Sequence, residues 1–150
     1  MSHDNLFKSC DHYVEEFELV EKKPITEGKG PYFTGVDLGT AYIVLVVTDA
    51  NKRIVAGAHR SASVVRDGMV VDYIGAVQIV RELKEELEHQ LDTELVFASA
   101  AIPPGTDLLD GGAIKNVVQS AGFELTAILD EPTAANTIVG MKDGAIVDIG

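Results

Sequence analysis

The segment PYFTGVDLGTAYIVLVVTDANKRIVAGAHR, residues 31–60, decides the fold of this chain. Three runs within it, Tyr32–Leu38, Tyr42–Asp49 and Arg53–Arg60, are rich in Val, Ile and aromatic residues, the composition of strands. Leu38-Gly39-Thr40-Ala41 and Asp49-Ala50-Asn51-Lys52 punctuate them as turns. Connections this short make antiparallel neighbours, because a parallel pair needs a longer crossover.

Downstream the pattern changes. After a brief strand at Met69–Val71, the residues Ile74, Val77, Val80, Leu83, Leu87 and Leu91 recur at three- and four-residue steps and predict a long helix. Glu82, Glu85, Glu86 and Glu88 read as its solvated face. Glu94–Ile102 is a strand, broken by Pro103-Pro104-Gly105. Thr106–Asp107 then caps a helix that runs to Ser120–Ala121, with Gly122 suited to its C-terminus. Leu125–Leu129 reads as a short buried strand, Pro132–Val139 as a short helix and Ala145–Ile149 as a final strand. Crossover helices between the later strands imply parallel pairing. The expected fold is therefore α/β and ribonuclease-H-like, a mixed sheet of three antiparallel strands followed by βαβ units with flanking helices.

Upstream, residues 1–30 are rich in charge and close on Pro24, Gly28, Gly30 and Pro31. They read as a flexible acidic extension, with a short helix around Val14–Val20, ahead of a lobe spanning 31–150. The chain carries 46% apolar and 24% charged residues and a net charge of −12, an ordinary globular profile with an acidic bias. Its basic residues form no cluster larger than Lys52-Arg53 or Lys22-Lys23, so nucleic acid is not an expected partner. A bound anion would need backbone N–H groups and a metal ion. The single cysteine, Cys10, excludes an internal disulfide and a cysteine-rich zinc site. His3, His12, His59 and His89 show no metal-ligand spacing and read as structural or surface residues. The longest strongly apolar run, Ala41–Val47, is far shorter than the roughly 20 residues of a membrane span, and no secretory signal is evident. The expected location is the cytoplasm.

Three segments carry chemistry. In Val36-Asp37-Leu38-Gly39-Thr40 a carboxylate ends a strand and is followed by a glycine and a hydroxyl. Gly39 lets the backbone approach an oxygen closely, successive N–H groups with Thr40 can cradle phosphate, and Asp37 can hold Mg²⁺ directly or through water. A plain hairpin is the structural alternative. Val147-Asp148-Ile149-Gly150 repeats the pattern at a second strand end, so that two aspartates could share one hydrated metal. Leu129-Asp130-Glu131-Pro132-Thr133-Ala134-Ala135 delivers two carboxylates to the mouth of the sheet, with Pro132 in a helical first turn. Its structural alternative is that Asp130 or Glu131 merely caps the helix.

Together these segments resemble the motifs of the actin and heat-shock ATPase superfamily. Asp37–Thr40 is similar to its first phosphate loop, Glu131–Ala135 to its first connecting motif and Val147–Gly150 to the opening of its second phosphate loop. Val64-Val65-Arg66-Asp67-Gly68-Met69-Val70-Val71-Asp72-Tyr73, Gly75-Ala76-Val77, Pro103–Asp107, Ser120-Ala121-Gly122 and Leu129–Ala135 resemble the ethanolamine-utilisation EutJ family, a chaperone-like branch associated with bacterial microcompartments. FtsA and MreB share the Asp-Gly portion more loosely.

The resemblance implies the actin-like ATPase lobe, with ATP and Mg²⁺ as cofactors. Thr40, the N–H groups around Gly39–Ala41, and Gly150 would contact the phosphates. Asp37 and Asp148 would organise Mg²⁺ through its water shell, and Glu131 would orient the attacking water. It also implies partners in ethanolamine catabolism, either ethanolamine ammonia-lyase or microcompartment proteins, and leaves oligomerisation open. Two other readings stay open on the residues: a non-catalytic actin-like scaffold or cell-shape and division homologue, and a ribonuclease-H-like nuclease using Asp37, Asp148 and Glu131, which the charge disfavours. On the superfamily pattern the chain ends inside the second phosphate loop, with a second lobe still to come. The 150-residue chain alone is accordingly expected to bind Mg-ATP poorly and hydrolyse little, and titration calorimetry giving micromolar affinity would overturn that expectation.

Overall fold

The computed structural model of the protein describes residues 3–104, 108–140, 142 and 146, with side chains from residue 11 in the first stretch and from 112 in the second. In chain order the elements are α1 (His3–Lys22), β1 (Phe33–Leu38), β2 (Tyr42–Thr48), β3 (Ile54–Ser61), β4 (Val65–Arg66), β5 (Met69–Val70), α2 (Tyr73–Leu91), β6 (Phe97–Ile102), α3 (Leu108–Ser120), β7 (Glu124–Asp130) and α4 (Glu131–Val139). Five strands form one sheet in the order β3-β2-β1-β6-β7, and β4 and β5 pair as a separate small hairpin. β1, β2 and β3 pair antiparallel, whereas β6 runs parallel to both β1 and β7. This is the mixed sheet expected from the sequence. The final strand expected at 145–149 lies outside the described residues.

The sheet is built on alternation. Ile43, Leu45 and Val47 of β2 are fully buried on one face, and Val44 and Val46 lie half-buried on the other. The β2–β3 turn is fixed by Asp49, a buried carboxylate that accepts hydrogen bonds from the backbone N–H groups of Asn51 (2.9 Å) and Arg53 (3.1 Å) and from Arg53 Nη2 (3.2 Å). Burial alone would raise this carboxyl, but those N–H donors and the guanidinium charge outweigh it and hold the group below its ordinary value.

α2 and α3 cover the face that carries Ile43, Leu45 and Val47. Ala76, Val77, Val80, Leu83, Leu87 and Leu91 of α2 pack there with Ile114, Val117 and Val118 of α3. Ile74, expected in this stripe, is instead 78% exposed. It stands two residues from Ala76, roughly 200° around the helix, so both cannot face the sheet. Asp72 caps α2, its carboxylate accepting from Gly75 N at 2.9 Å. The expected solvated glutamates are only partly free. Arg60 reaches from β3 to Glu82 (2.5 Å) and Glu86 (3.4 Å), and Glu88 accepts from Lys84 Nζ (2.6 Å) and the Leu95 N–H (2.7 Å).

Two expectations need correction. The helix expected around Val14–Val20 is longer than a short one: α1 runs for 20 residues. Val20 is buried, and Phe17 lies over Gly57 of β3, where the missing side chain leaves room for its ring. Beyond the helix, Ile25 donates its N–H to Val55 O at 2.7 Å, tying the chain to the sheet edge. Charge dominates the composition of this segment, but Phe17, Val20 and Glu21 share one helical face, and that face finds a surface. The second correction concerns β7, which contains no buried residue and leaves Leu129 38% exposed. It is a sheet edge, and α4, which follows it, has no buried residue either.

Leu83→Ala, which empties a fully buried position, is expected to lower stability by about 2–5 kcal/mol, read as a shifted urea midpoint with an unchanged slope.

Candidate functional site

The parallel pairing aligns the carboxyl ends of β1, β6 and β7 on one sheet edge. Asp37 stands opposite Ala101, and Ile102 stands opposite Asp130. Each strand therefore releases its chain at the same place: Gly39-Thr40 after β1, Pro103-Pro104 after β6, and Glu131-Pro132 after β7. Open α/β sheets place ligands at such an edge.

At the first release the backbone folds tightly. A Cβ on Gly39 would lie 2.8 Å from the carbonyl oxygen of Tyr42, closer than carbon and oxygen tolerate. Only glycine fits, and its bare backbone is open to close approach by a ligand. At the third release Asp130 caps α4, accepting from Thr133 N at 2.9 Å, while Pro132 occupies the first turn and Gly140 ends the helix in the left-handed region at φ 63°. Hydrogen bonds from Thr133, side chain and backbone, hold the Asp130 carboxyl below its ordinary value despite partial desolvation. Of the two carboxylates that the sequence placed here, Asp130 is the cap and Glu131 faces the cleft.

A cleft of about 750 Å³ opens at this edge, lined by Asp37, Gly39, Thr40 and Glu131 together with Asp67, Gly68, Pro103 and Pro104 among others. Four of the site residues chosen from sequence thus share one cavity. Ala41 is exposed one residue beyond its described lining, and Asp148 and Gly150 lie outside the described residues. No lysine or arginine is among the described lining residues. Carboxylates, a hydroxyl and a glycine-opened turn form a donor set for a hard, oxygen-loving cation accompanied by an anion. Among the described residues, no three His, Cys, Asp or Glu side chains gather into a metal cage.

Asp67 and Gly68, marked in the sequence by family likeness, and Pro103, marked also as a strand break, are walls of the cleft that were not foreseen as such. Asp67 (φ 51°) and Gly68 (φ 73°) form the β4–β5 turn, in which both residues are left-handed. A Cβ on Gly68 would come 3.0 Å from Pro103 Cγ, so the hairpin turn closes against the β6 exit. The Asp-Gly pair was a legible turn signal; its distance from the cleft was not.

The sheet order and this edge cleft give the chain an α/β, ribonuclease-H-like fold of the actin-like kind. MreB5 of Spiroplasma citri, solved bound to ADP, matches 70% of this chain and 40% of its own with a TM-score of 0.52 at 19% identity, a likeness of fold. Ethanolamine utilization protein EutJ of Salmonella typhimurium is 43% identical over 150 residues, 100% of this chain and 52% of the relative. The crystal structure of EutJ from Carboxydothermus hydrogenoformans matches with a TM-score of 0.86 and 49% identity, over 97% of this chain and 53% of that one. The chain belongs to the EutJ family. It spans about half the length of the curated relatives it matches. No protein-family model matches it. Among the described residues, no helix is long and apolar enough to cross a membrane.

The lowered Asp130 carboxyl contributes stability that is present above its unfolded value of about 3.8 and is lost as pH falls through the lower folded value. Asp130→Asn, which keeps a neutral cap, should lower the unfolding midpoint at neutral pH. The difference from wild type should vanish in acid below both values, as read by thermal melts across a pH series.

Proposed function

We propose that this chain is the phosphate-binding lobe of a Mg-ATP-binding, chaperone-like protein of ethanolamine utilization. The observation that carries the reading is the convergence of Asp37, Gly39, Thr40 and Glu131 on one cleft at the carboxyl edge of the sheet. The Gly39–Ala41 turn presents N–H groups, with the Thr40 hydroxyl, to the phosphates. Asp37 would hold Mg²⁺ through its water shell, as suits that ion. When bound, the metal neutralises phosphate charge. Glu131 orients the attacking water and accepts its proton. Catalysis on this scheme is positioning and electrostatics. Asp148 and Gly150 would supply the second acidic turn.

The absence of basic residues from the described lining makes the metal the main source of positive charge. The same feature, with the net charge of −12, argues against a polyanionic nucleic-acid substrate. Location in the cytoplasm, partners among ethanolamine ammonia-lyase or microcompartment proteins, and ATP turnover itself belong to the proposal and rest on family likeness.

The test is fluorescent-ATP binding to the protein extended to the length of its EutJ relatives. Asp37→Asn should weaken Mg²⁺-dependent binding by about 10-fold or more, and Gly39→Val should abolish it. Glu131→Gln should slow hydrolysis by roughly 10²-fold while affinity changes little. Wild-type binding that is equally tight in excess chelator would refute the scheme.

A further inference from the structure

The helix α1 lies on the face of the sheet opposite the α2–α3 core, and it touches two elements, β3 and α4. On one side it packs on β3; on the other it approaches α4, whose first turn carries Glu131 and Pro132. The β3 contact continues as an unbroken chain of side chains. Glu21 of α1 pairs with His59 Nδ1 of β3. The His59 ring meets the Tyr42 ring edge-on, with centroids 5.5 Å apart. Tyr42 is the first residue of β2, and its carbonyl oxygen is the atom that crowds Gly39. Register explains the geometry: Val44 stands opposite His59 and Tyr42 opposite Ser61, so Tyr42 and His59 are diagonal neighbours on one face.

We propose that α1 is a strut that positions the Gly39–Ala41 turn, with Glu21, His59 and Tyr42 as its positioning residues. None of the three lines the cleft; they act through the backbone that enters β2. Tyr42 is 50% exposed and the His59 side chain 45% exposed, so neither is needed to fill the core. Their value lies in fixing where β2 begins. Phe17 over Gly57 and the buried Val20 hold the helix down, and the Glu21–His59–Tyr42 chain passes that docking to the turn. The proposal rests on the nucleotide reading only for its consequence in binding; the coupling itself belongs to the unliganded protein.

Hydrogen exchange on the nucleotide-free protein tests it. Glu21→Ala and Tyr42→Ala should each speed exchange of the Thr40–Tyr42 amides severalfold, on the order of fivefold. Tyr42→Phe keeps the ring and should match wild type, and the α2 amides of Val80–Leu87 should not change in any variant. Glu21→Ala combined with Tyr42→Ala should do no more than either alone, because both cut one chain. A second arm measures Mg-ATP affinity, which should fall in the same variants. Unchanged exchange at Thr40–Tyr42 in both alanine variants would overturn the strut. Faster exchange that spreads equally through α2 would overturn it as well, as the mark of simple destabilisation. Faster local exchange, together with a wild type that ignores Mg-ATP even when extended to the length of its EutJ relatives, would sustain the strut and refute the nucleotide reading.

Discussion

The parallel pairing of β1 with β6, and of β6 with β7, is the constraint on which the rest depends. An antiparallel partner would deliver its chain to the opposite edge of the sheet; a parallel one delivers it to the same edge. Because Asp37 stands opposite Ala101 and Ile102 opposite Asp130, three chain exits with three different chemistries meet within one cleft. The helices α2 and α3 make that pairing possible: they are the crossovers around which the chain returns. Their apolar stripes, Ala76 to Leu91 and Ile114 to Val118, are what bury one face of the sheet. The core thus reaches the site through register, and two of its residues, Leu38 and Val65, also line the cleft.

The two faces are unequal. One is packed with fully buried Ile43, Leu45, Leu83 and Leu87. The other is covered at β3 by α1, while Phe33 and Leu129 stay 43% and 38% exposed and Phe33 stacks on Phe97 at 5.8 Å. Asymmetry of this kind leaves the cleft edge supported from below by a rigid layer and from above by a lighter one. The diagonal ring pair Tyr42–His59 lies on that lightly covered face, where one such pair matters more than it would inside the core.

Much of this was legible from the residues. The meander was, because its three runs are rich in Val, Ile and aromatic residues and the turns between them are short. The Asp37–Thr40 and Glu131–Pro132 segments, each open to a plain hairpin or helix-cap reading alone, stood out because their order along the chain resembles the superfamily motifs. The docking of α1 was not legible. Its apolar face is only Phe17, Val20 and their neighbours, and it gains meaning only once β3 is known to present Gly57 to it. The exposure of β7 was hidden for the converse reason: an apolar run reads as buried, but its burial depends on what covers the sheet edge. Asp67 and Gly68 announced a turn while concealing that Gly68 would close on Pro103, a contact set by tertiary folding across 34 intervening residues.

Charge ties the site to the whole molecule. The described lining of the cleft holds Asp37, Asp67 and Glu131 and no basic side chain, in a protein whose net charge is −12. A free anion approaching such a cleft meets repulsion both from its walls and from the field of the chain. Backbone N–H groups at the Gly39 turn offer partial charges only, too little to offset three carboxylates. An anion can therefore enter with favourable electrostatics only as part of a complex that carries its own cations. On the proposed reading, a site of this composition would favour a metal-chelated phosphate over the bare one, with no dedicated metal cage among its described residues.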